Sequence, residues 1–174
     1  MFKSAVIVSV SVGYLLLSAA QPQASVSLAQ HDMRMGEAEF AYLMAKHHQG
    51  GIEMAQVEEK GGSAADVKSL AAKIRSGQQS EVPKLKAHAK GQPSAMASQH
   101  EKDMQKEHMA SMAILKGAKG AALDKAFAEE MIKHHQSALQ MISQADLKDS
   151  ELKQMADKMA ANQKQEIAEL QKVK

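Results

Sequence analysis

The residues best suited to chemistry are two histidine pairs, each inside a fifteen-residue segment that occurs twice. Residues 40–54 read FAYLMAKHHQGGIEM, and residues 127–141 read FAEEMIKHHQSALQM, 87 positions later. Both copies place Phe, Met, Lys-His-His-Gln and a final Met at the same positions. On a helix these phenylalanine, methionine and histidine side chains fall within an arc of about 120°. We therefore expect each copy to present imidazole and thioether groups on one helix face.

Imidazole nitrogen and thioether sulfur, in a chain without cysteine, favour Cu(I), and a histidine-rich set can also hold Cu(II). Binding is expected to weaken below about pH 6, because a protonated imidazole cannot coordinate. Glu81 and Glu166, at matching positions of the following helices, are expected to accept hydrogen bonds from imidazole N–H groups. Methionine at helical spacing is also a common core residue, so packing is the alternative role. The candidate ligands in the two copies are Met44, His47, His48, Met54, Met131, His134, His135 and Met141.

A second pattern places methionine and histidine alternately at every fourth residue between the two copies. Each step of four turns the pattern by about 40° around a helix, so two or three consecutive members can share an ion but all five cannot. A purely apolar face would be expected to carry Leu or Ile where histidine stands. Neighbouring Glu101, Asp103 and Glu107 offer oxygen for Cu(II). The candidate ligands here are Met96, His100, Met104, His108 and Met112, with Met109 beside them.

The N-terminus predicts export. Lys3 precedes an apolar run over residues 5–17 that is followed by small residues, which indicates a signal peptide over residues 1–29 with cleavage after Ala29 or Ala20. The run is too short for a membrane span, and nothing later could cross a bilayer. Residues 30–36 lack periodicity and are expected to form a flexible arm, with His31, Met33 and Met35 as further candidate ligands.

The amino-acid composition limits the kinds of partner and metal site that this protein can have. Lysine and arginine number 22 and aspartate and glutamate 20, so no charge excess favours nucleic acid or an anionic membrane. The absence of cysteine excludes disulfides and thiolate metal sites in an exported chain. Thirteen methionines and eight histidines beside three phenylalanines and no tryptophan are the main compositional signal for metal.

The duplication also predicts the architecture. Beyond the histidine block, apolar positions of the next segment repeat at a shift of 85 residues, so the repeated unit is a pair of helices. We expect repeat 1 over residues 37–90, a connector helix over 94–116 and repeat 2 over 121–174, with a last helix capped by Asp146 or Asp149 and no strand. The predicted fold is all-α: a ferritin-like four-helix bundle built from two duplicated hairpins.

Local signals refine the helix boundaries. Ser63 and Asp66 resemble a capping box for the second helix, and Ser94 can cap the third. Pro83 should kink the second helix or end its regular part. Gly51 stands where copy two has alanine, which suggests that small size matters at this position.

The repeated frame F-x3-M-x2-H-H-x5-M resembles that of an exported bacterial family known as domain of unknown function 305, and both copies match it without a gap. The resemblance implies a ferritin-like helical bundle that is exported and lowers free copper in the cell envelope. It also implies that the eight methionines and histidines of the two frames are the copper ligands.

Three functions are compatible with these features. The first is a periplasmic or secreted copper-binding protein that sequesters copper or passes it to a transferring or efflux partner, contributing to copper resistance without catalysis. The second is a ferritin-like di-metal oxidase, which needs bridging carboxylates. The pair most similar to the Glu-x-x-His motif of such enzymes is Glu130 with His134, and copy one has Leu43 in place of Glu130. The third is a structural bundle that binds no metal.

Overall fold

Five helices dominate the computed structural model, which describes residues 34–173. The predicted signal peptide, His31 and Met33 lie outside the described residues. The elements are β1 Met35–Gly36, α1 Glu37–Gly61, α2 Ala65–His88, α3 Ala95–Gly117, α4 Ala121–Gln144, β2 Ala145–Asp146 and α5 Ser150–Leu170. None of the helices described here is long and apolar enough to span a bilayer.

The helices pair as the duplication predicts. α1 packs against α2, and α4 packs against α5; α1 then contacts α4, and α2 contacts α5. These four helices form the bundle, while α3 lies along α1 and α4. The all-α fold of two duplicated hairpins joined by a connector helix is confirmed.

The start of α2 differs from the prediction. Ser63 and Asp66 form no capping box; the N-cap residue is Ala64, whose own side chain makes no hydrogen bond. Instead the Ser63 hydroxyl donates to Asp124 of α4 at 2.6 Å, and the Ser63 and Ala64 N–H groups donate to the same carboxylate at 2.8 and 3.0 Å. A carboxylate from a distant helix has replaced the local cap, which spacing along the chain cannot reveal.

α2 continues beyond the exposed residue Pro83 to His88, so Pro83 does not end the helix, and a kink at this residue stays a prediction. Two other local predictions were wrong. The chain contains two short strands, because Met35–Gly36 pairs in parallel with Ala145–Asp146. Met35 is buried in the core, so residues 35 and 36 are not part of a flexible arm. The predicted caps Ser94 and Asp149 are confirmed at the starts of α3 and α5.

The core consists of two apolar clusters at opposite ends of the bundle. One contains the first half of α1 and the second half of α4, including Phe40, Met44 and Met141. The other contains Phe127, Met131 and Met54. Because α1 and α4 run antiparallel, each cluster combines the beginning of one repeated frame with the end of the other. A polar layer separates the clusters. It contains the buried residues His47, His48, Gln78, His135, Gln163 and Glu166 and the partly buried His134.

Candidate metal site

The centre of the polar layer is a pair of stacked imidazoles. His47 of α1 and His134 of α4 lie with ring centroids 3.7 Å apart and ring planes tilted by 19°. Burial lowers the pKa of both rings well below 6.5, and the neighbouring histidines lower it further. Nδ1 of His47 and Nε2 of His134 are buried, and neither is hydrogen-bonded within residues 34–173. Neutral rings with available nitrogen atoms fit the requirement for metal coordination.

The second histidine of each pair turns away from this stack. Nε2 of His48 lies 2.9 Å from Oε2 of Glu81 on α2, and Nε2 of His135 lies 2.9 Å from Oε2 of Glu166 on α5. The expected hydrogen bond is confirmed for Glu81. Glu166 lies at the same distance from its histidine, but His135 Nε2 makes no hydrogen bond within residues 34–173, so that bond stays a prediction.

The expectation that both rings of a pair occupy one ligand-bearing face was wrong. The rings of His47 and His48 are 6.4 Å apart, and those of His134 and His135 are 6.1 Å apart. Consecutive residues on a helix diverge by about 100°, so in a bundle they meet different neighbouring helices. The first histidine of each pair meets its counterpart across the α1–α4 interface, and the second meets the partner helix of its own hairpin.

A cavity of about 650 Å³ opens beside the stacked rings between α1, α3 and α4. It brings together groups from all three helices that sequence spacing could not place together. Lys46 and Lys133 also line this cavity, which we call the pocket. The lining side chains that carry potential donor atoms for a metal are His47, Glu53, Met54, Glu101, Met104, Glu107, His108, Glu130 and His134.

Polar contacts hold α3 over the pocket, parallel to α1. Ser94 donates to Glu39 at 2.8 Å, and His108 Nε2 lies 3.0 Å from Glu53 Oε2; both pairs are separated by 55 residues. On the other side, the Ser111 hydroxyl donates to Glu130 of α4 at 2.7 Å. These contacts place the middle of the connector helix above the stacked rings. The Glu53–His108 contact was missed, because no periodic signal relates residues so far apart.

The alternating pattern on α3 divides among three environments. Met104 and His108 line the pocket, whereas Met96 and Met109 are 68% and 61% exposed. Met112 packs against the apolar cluster that contains Phe127, and His100 is half-buried outside the pocket lining. The drift expected from a spacing of four explains this separation.

The methionines of the repeated frames lie mainly in the core. Met44, Met131 and Met141 are at most 2% exposed and belong to the apolar clusters. Met54 is buried too, but it also lines the pocket. Met35 packs in the cluster of Met44. Coordination by these five thioethers remains a prediction.

Two buried glutamines of this layer were also missed by the sequence analysis. A Cβ added to Gly51 would lie 2.3 Å from Gln78 Oε1 and 2.6 Å from His134 Nε2, so both groups approach the α1 backbone where it has no side chain. This close approach is consistent with the expected need for a small residue at Gly51. Gln163 of α5 is buried likewise. The available signal was their match under the 85-residue shift.

The donor atoms at the pocket are of mixed type. Within the part of the chain that the structure describes, no three His, Asp or Glu side chains cluster closely enough to hold an ion by themselves. The lining offers imidazole nitrogens, the thioether sulfurs of Met54 and Met104, and the carboxylates of Glu53, Glu101, Glu107 and Glu130. The nitrogen and sulfur donors suit a soft or borderline ion, and the carboxylates add harder oxygen donors.

The sequence profile of a family described as a domain of unknown function, DUF305, matches residues 17–89 and 37–174. The chain belongs to the DUF305 family. No curated protein matches its sequence. Solved DUF305 and related structures share the fold at low sequence identity.

A DUF305 fragment from Deinococcus radiodurans is 24% identical, with a TM-score of 0.65 over 78% of this chain and 92% of that one. CopM in a silver-bound form is 24% identical, with a TM-score of 0.64 over 79% and 94%. CopM in a Cu(II)-bound form is 22% identical, with a TM-score of 0.62 over 79% and 95%. Such identities establish the common fold. In this DUF305 chain, the frame places its first histidines in the pocket and most of its methionines in the core.

Proposed function

We propose that this protein is an exported copper-binding protein that sequesters or carries copper in the cell envelope and contributes to copper resistance. The observation that carries the proposal is the stack of two neutral imidazoles, His47 and His134, whose buried nitrogens have no hydrogen-bond partner within residues 34–173. A purely structural layer would be expected to satisfy these nitrogens, because an unpaired buried polar group destabilises the fold.

The pocket supplies the donors that copper in two oxidation states requires. His47, His134 and His108 offer imidazole nitrogen, which suits Cu(I) and Cu(II). Met54 and Met104 offer thioether sulfur, which favours Cu(I). Bound copper would supply no catalytic step here, since the role we propose is storage and transfer.

Similarity to CopM, whose solved forms contain Cu(II) and silver, supports a metal-binding role. Residues 1–29 would direct export and be removed. Transfer of copper to a transferring or efflux partner would use Met96 and Met109 of α3, whose thioethers are exposed to solvent.

The test is an anaerobic Cu(I) titration of residues 30–174 against a competing chelator, with X-ray absorption to count nitrogen and sulfur neighbours. We expect binding of at least one equivalent, and a lower stoichiometry or affinity for the double variant His47→Ala and His134→Ala. His88→Ala is the matched control, because His88 ends α2 and does not line the pocket. Equal loss in the control, or no loss in the double variant, would refute the assignment.

An oxidase role is distinguished by oxygen consumption. Glu130 is the carboxylate whose sequence surroundings are most similar to a di-metal motif. It accepts hydrogen bonds from Ser111 at 2.7 Å and Lys133 at 2.6 Å. We expect added Fe(II) to produce no protein-dependent oxygen uptake. Uptake that disappears in Glu130→Gln would favour the enzyme instead.

A further inference from the structure

Gln78 is a buried polar residue that the copper site described above does not use. It lies on α2 with 5% of its surface exposed, and its Oε1 atom is buried without a hydrogen bond in the described structure. Its amide oxygen and His134 Nε2 both lie against Gly51, where an added Cβ would be 2.3 Å from the oxygen and 2.6 Å from the nitrogen. Two unpaired acceptor-type atoms from different helices therefore converge beside a helix that lacks a side chain.

The two repeats differ at this place. Gln163 is the counterpart of Gln78 and is also buried with its Oε1 unpaired. The counterpart of Gly51, however, is Ala138, which is 1% exposed and carries a methyl group where Gly51 has none. In the first repeat the corresponding space beside Gly51 is taken by the polar atoms of Gln78 and His134.

We propose that Gln78 Oε1 and His134 Nε2 form a mixed oxygen and nitrogen binding point for a divalent metal of the Cu(II) class, opening to the pocket through His134. The inference rests on the proposed copper function and adds a ligand from α2. An amide oxygen is a harder donor than a thioether, and it favours Cu(II) over Cu(I). The pocket then offers sulfur for Cu(I) on Met54 and Met104, and Gln78 offers oxygen for Cu(II) behind the lining residue His134.

The opposite effects of removing the amide on stability and on binding make the proposal testable. Gln78→Leu deletes a buried oxygen that has no hydrogen bond, so the metal-free variant should melt at the same or a higher temperature. Its dissociation constant for Cu(II) should rise about tenfold or more, while that for Cu(I) should stay within about twofold. The dissociation constant for Cu(II) is measured by competition with nitrilotriacetate, and that for Cu(I) by anaerobic competition with bathocuproine disulfonate.

Three variants complete the experiment. Gln163→Leu is the matched control, because it removes the equivalent amide of the repeat that carries Ala138, and it should leave Cu(II) affinity unchanged. Gln78→Glu keeps an oxygen in place and should retain Cu(II) binding. Gln78→Met preserves the side-chain volume but replaces oxygen with sulfur, so it should weaken Cu(II) binding and strengthen Cu(I) binding, with a matching change in the electron paramagnetic resonance spectrum of bound Cu(II).

The possible outcomes distinguish a failure of the Gln78 proposal from a failure of the proposed copper-binding function. If the unmodified protein binds copper and Gln78→Leu has the same affinity for Cu(II), the Gln78 assignment is wrong and the copper function stands. If Gln78→Leu lowers the metal-free melting temperature and weakens both oxidation states equally, Gln78 is a structural residue. If the unmodified protein binds neither ion, both proposals are refuted.

Discussion

Glu58, near the end of α1, should make the stability of this protein fall as the pH rises. Its carboxyl group is fully buried, and burial raises its pKa to about 8, with the neighbouring Asp124 adding to the rise and Lys68 opposing it. Burial acts to raise the pKa of Asp124 as well, but hydrogen bonds from Ser63 and Ala64 outweigh it, and that pKa is lowered. The pair therefore consists of a protonated Glu58 facing an ionised Asp124 between the α1–α2 turn and α4.

The sign of the effect follows from proton binding. In the unfolded chain Glu58 releases its proton near pH 4.5, whereas in the folded protein it holds the proton up to about pH 8. The folded state binds more protons throughout this window, so this contribution to stability is complete below pH 4.5 and is lost as the pH rises to about 8. At about 1.4 kcal/mol per pH unit, the loss between pH 6 and pH 8 is about 2 to 3 kcal/mol.

The variant Glu58→Gln isolates this term, since an amide can donate to Asp124 but does not titrate. Urea unfolding is followed by far-UV circular dichroism at pH 6, 7 and 8. The free energy of unfolding of the variant, relative to that of the unmodified protein, should rise by about 2 to 3 kcal/mol from pH 6 to pH 8. Glu59→Gln is the control, because Glu59 pairs with Arg75 near the surface, where both side chains are more than a quarter exposed. A difference between Glu58→Gln and the unmodified protein that stays constant from pH 6 to pH 8 would refute the reasoning.

Three further outcomes are expected. Copper uptake should persist below pH 6, where the sequence alone predicts that it weakens, because burial lowers the pKa of His47 and His134. A series of Cu(I) titrations in which uptake is half lost at pH 6.5 would contradict this. Gly51→Ala should destabilise the protein by about 1 to 3 kcal/mol, because the added methyl group overpacks against the polar layer. Gly77→Ala, which has open space around its Cβ position, should stabilise the protein by up to about 1 kcal/mol. Thermal melts in which both variants shift the melting temperature in the same direction would refute this prediction. Asp124→Ala should cost about 2 to 4 kcal/mol in urea unfolding, since it removes the acceptor of three hydrogen bonds; a loss below about 0.5 kcal/mol would show that the turn is held by other contacts.

Helix identity and order could be predicted because they depend on interactions within a few residues. The apolar periodicity, the Ser94 and Asp149 caps and the 87-residue duplication all operate locally or by simple comparison along the chain. The start of α2 could not be predicted, because its donors are satisfied by Asp124 from another helix. The same applies to the pairing of Met35 with Ala145, which joins the start of α1 to the α4–α5 turn.

By itself, the sequence determined which donor atoms this protein offers, that they occur in two copies, and that helices carry them. The tertiary structure decided which of them meet. Antiparallel packing of α1 and α4 brings His47 onto His134 and directs Met44 and Met131 into separate apolar clusters. The placement of α3 adds His108 to the pocket. The physical reason is that helical periodicity fixes the direction of a side chain only relative to its own axis, whereas its burial and its neighbours depend on the helices packed around it.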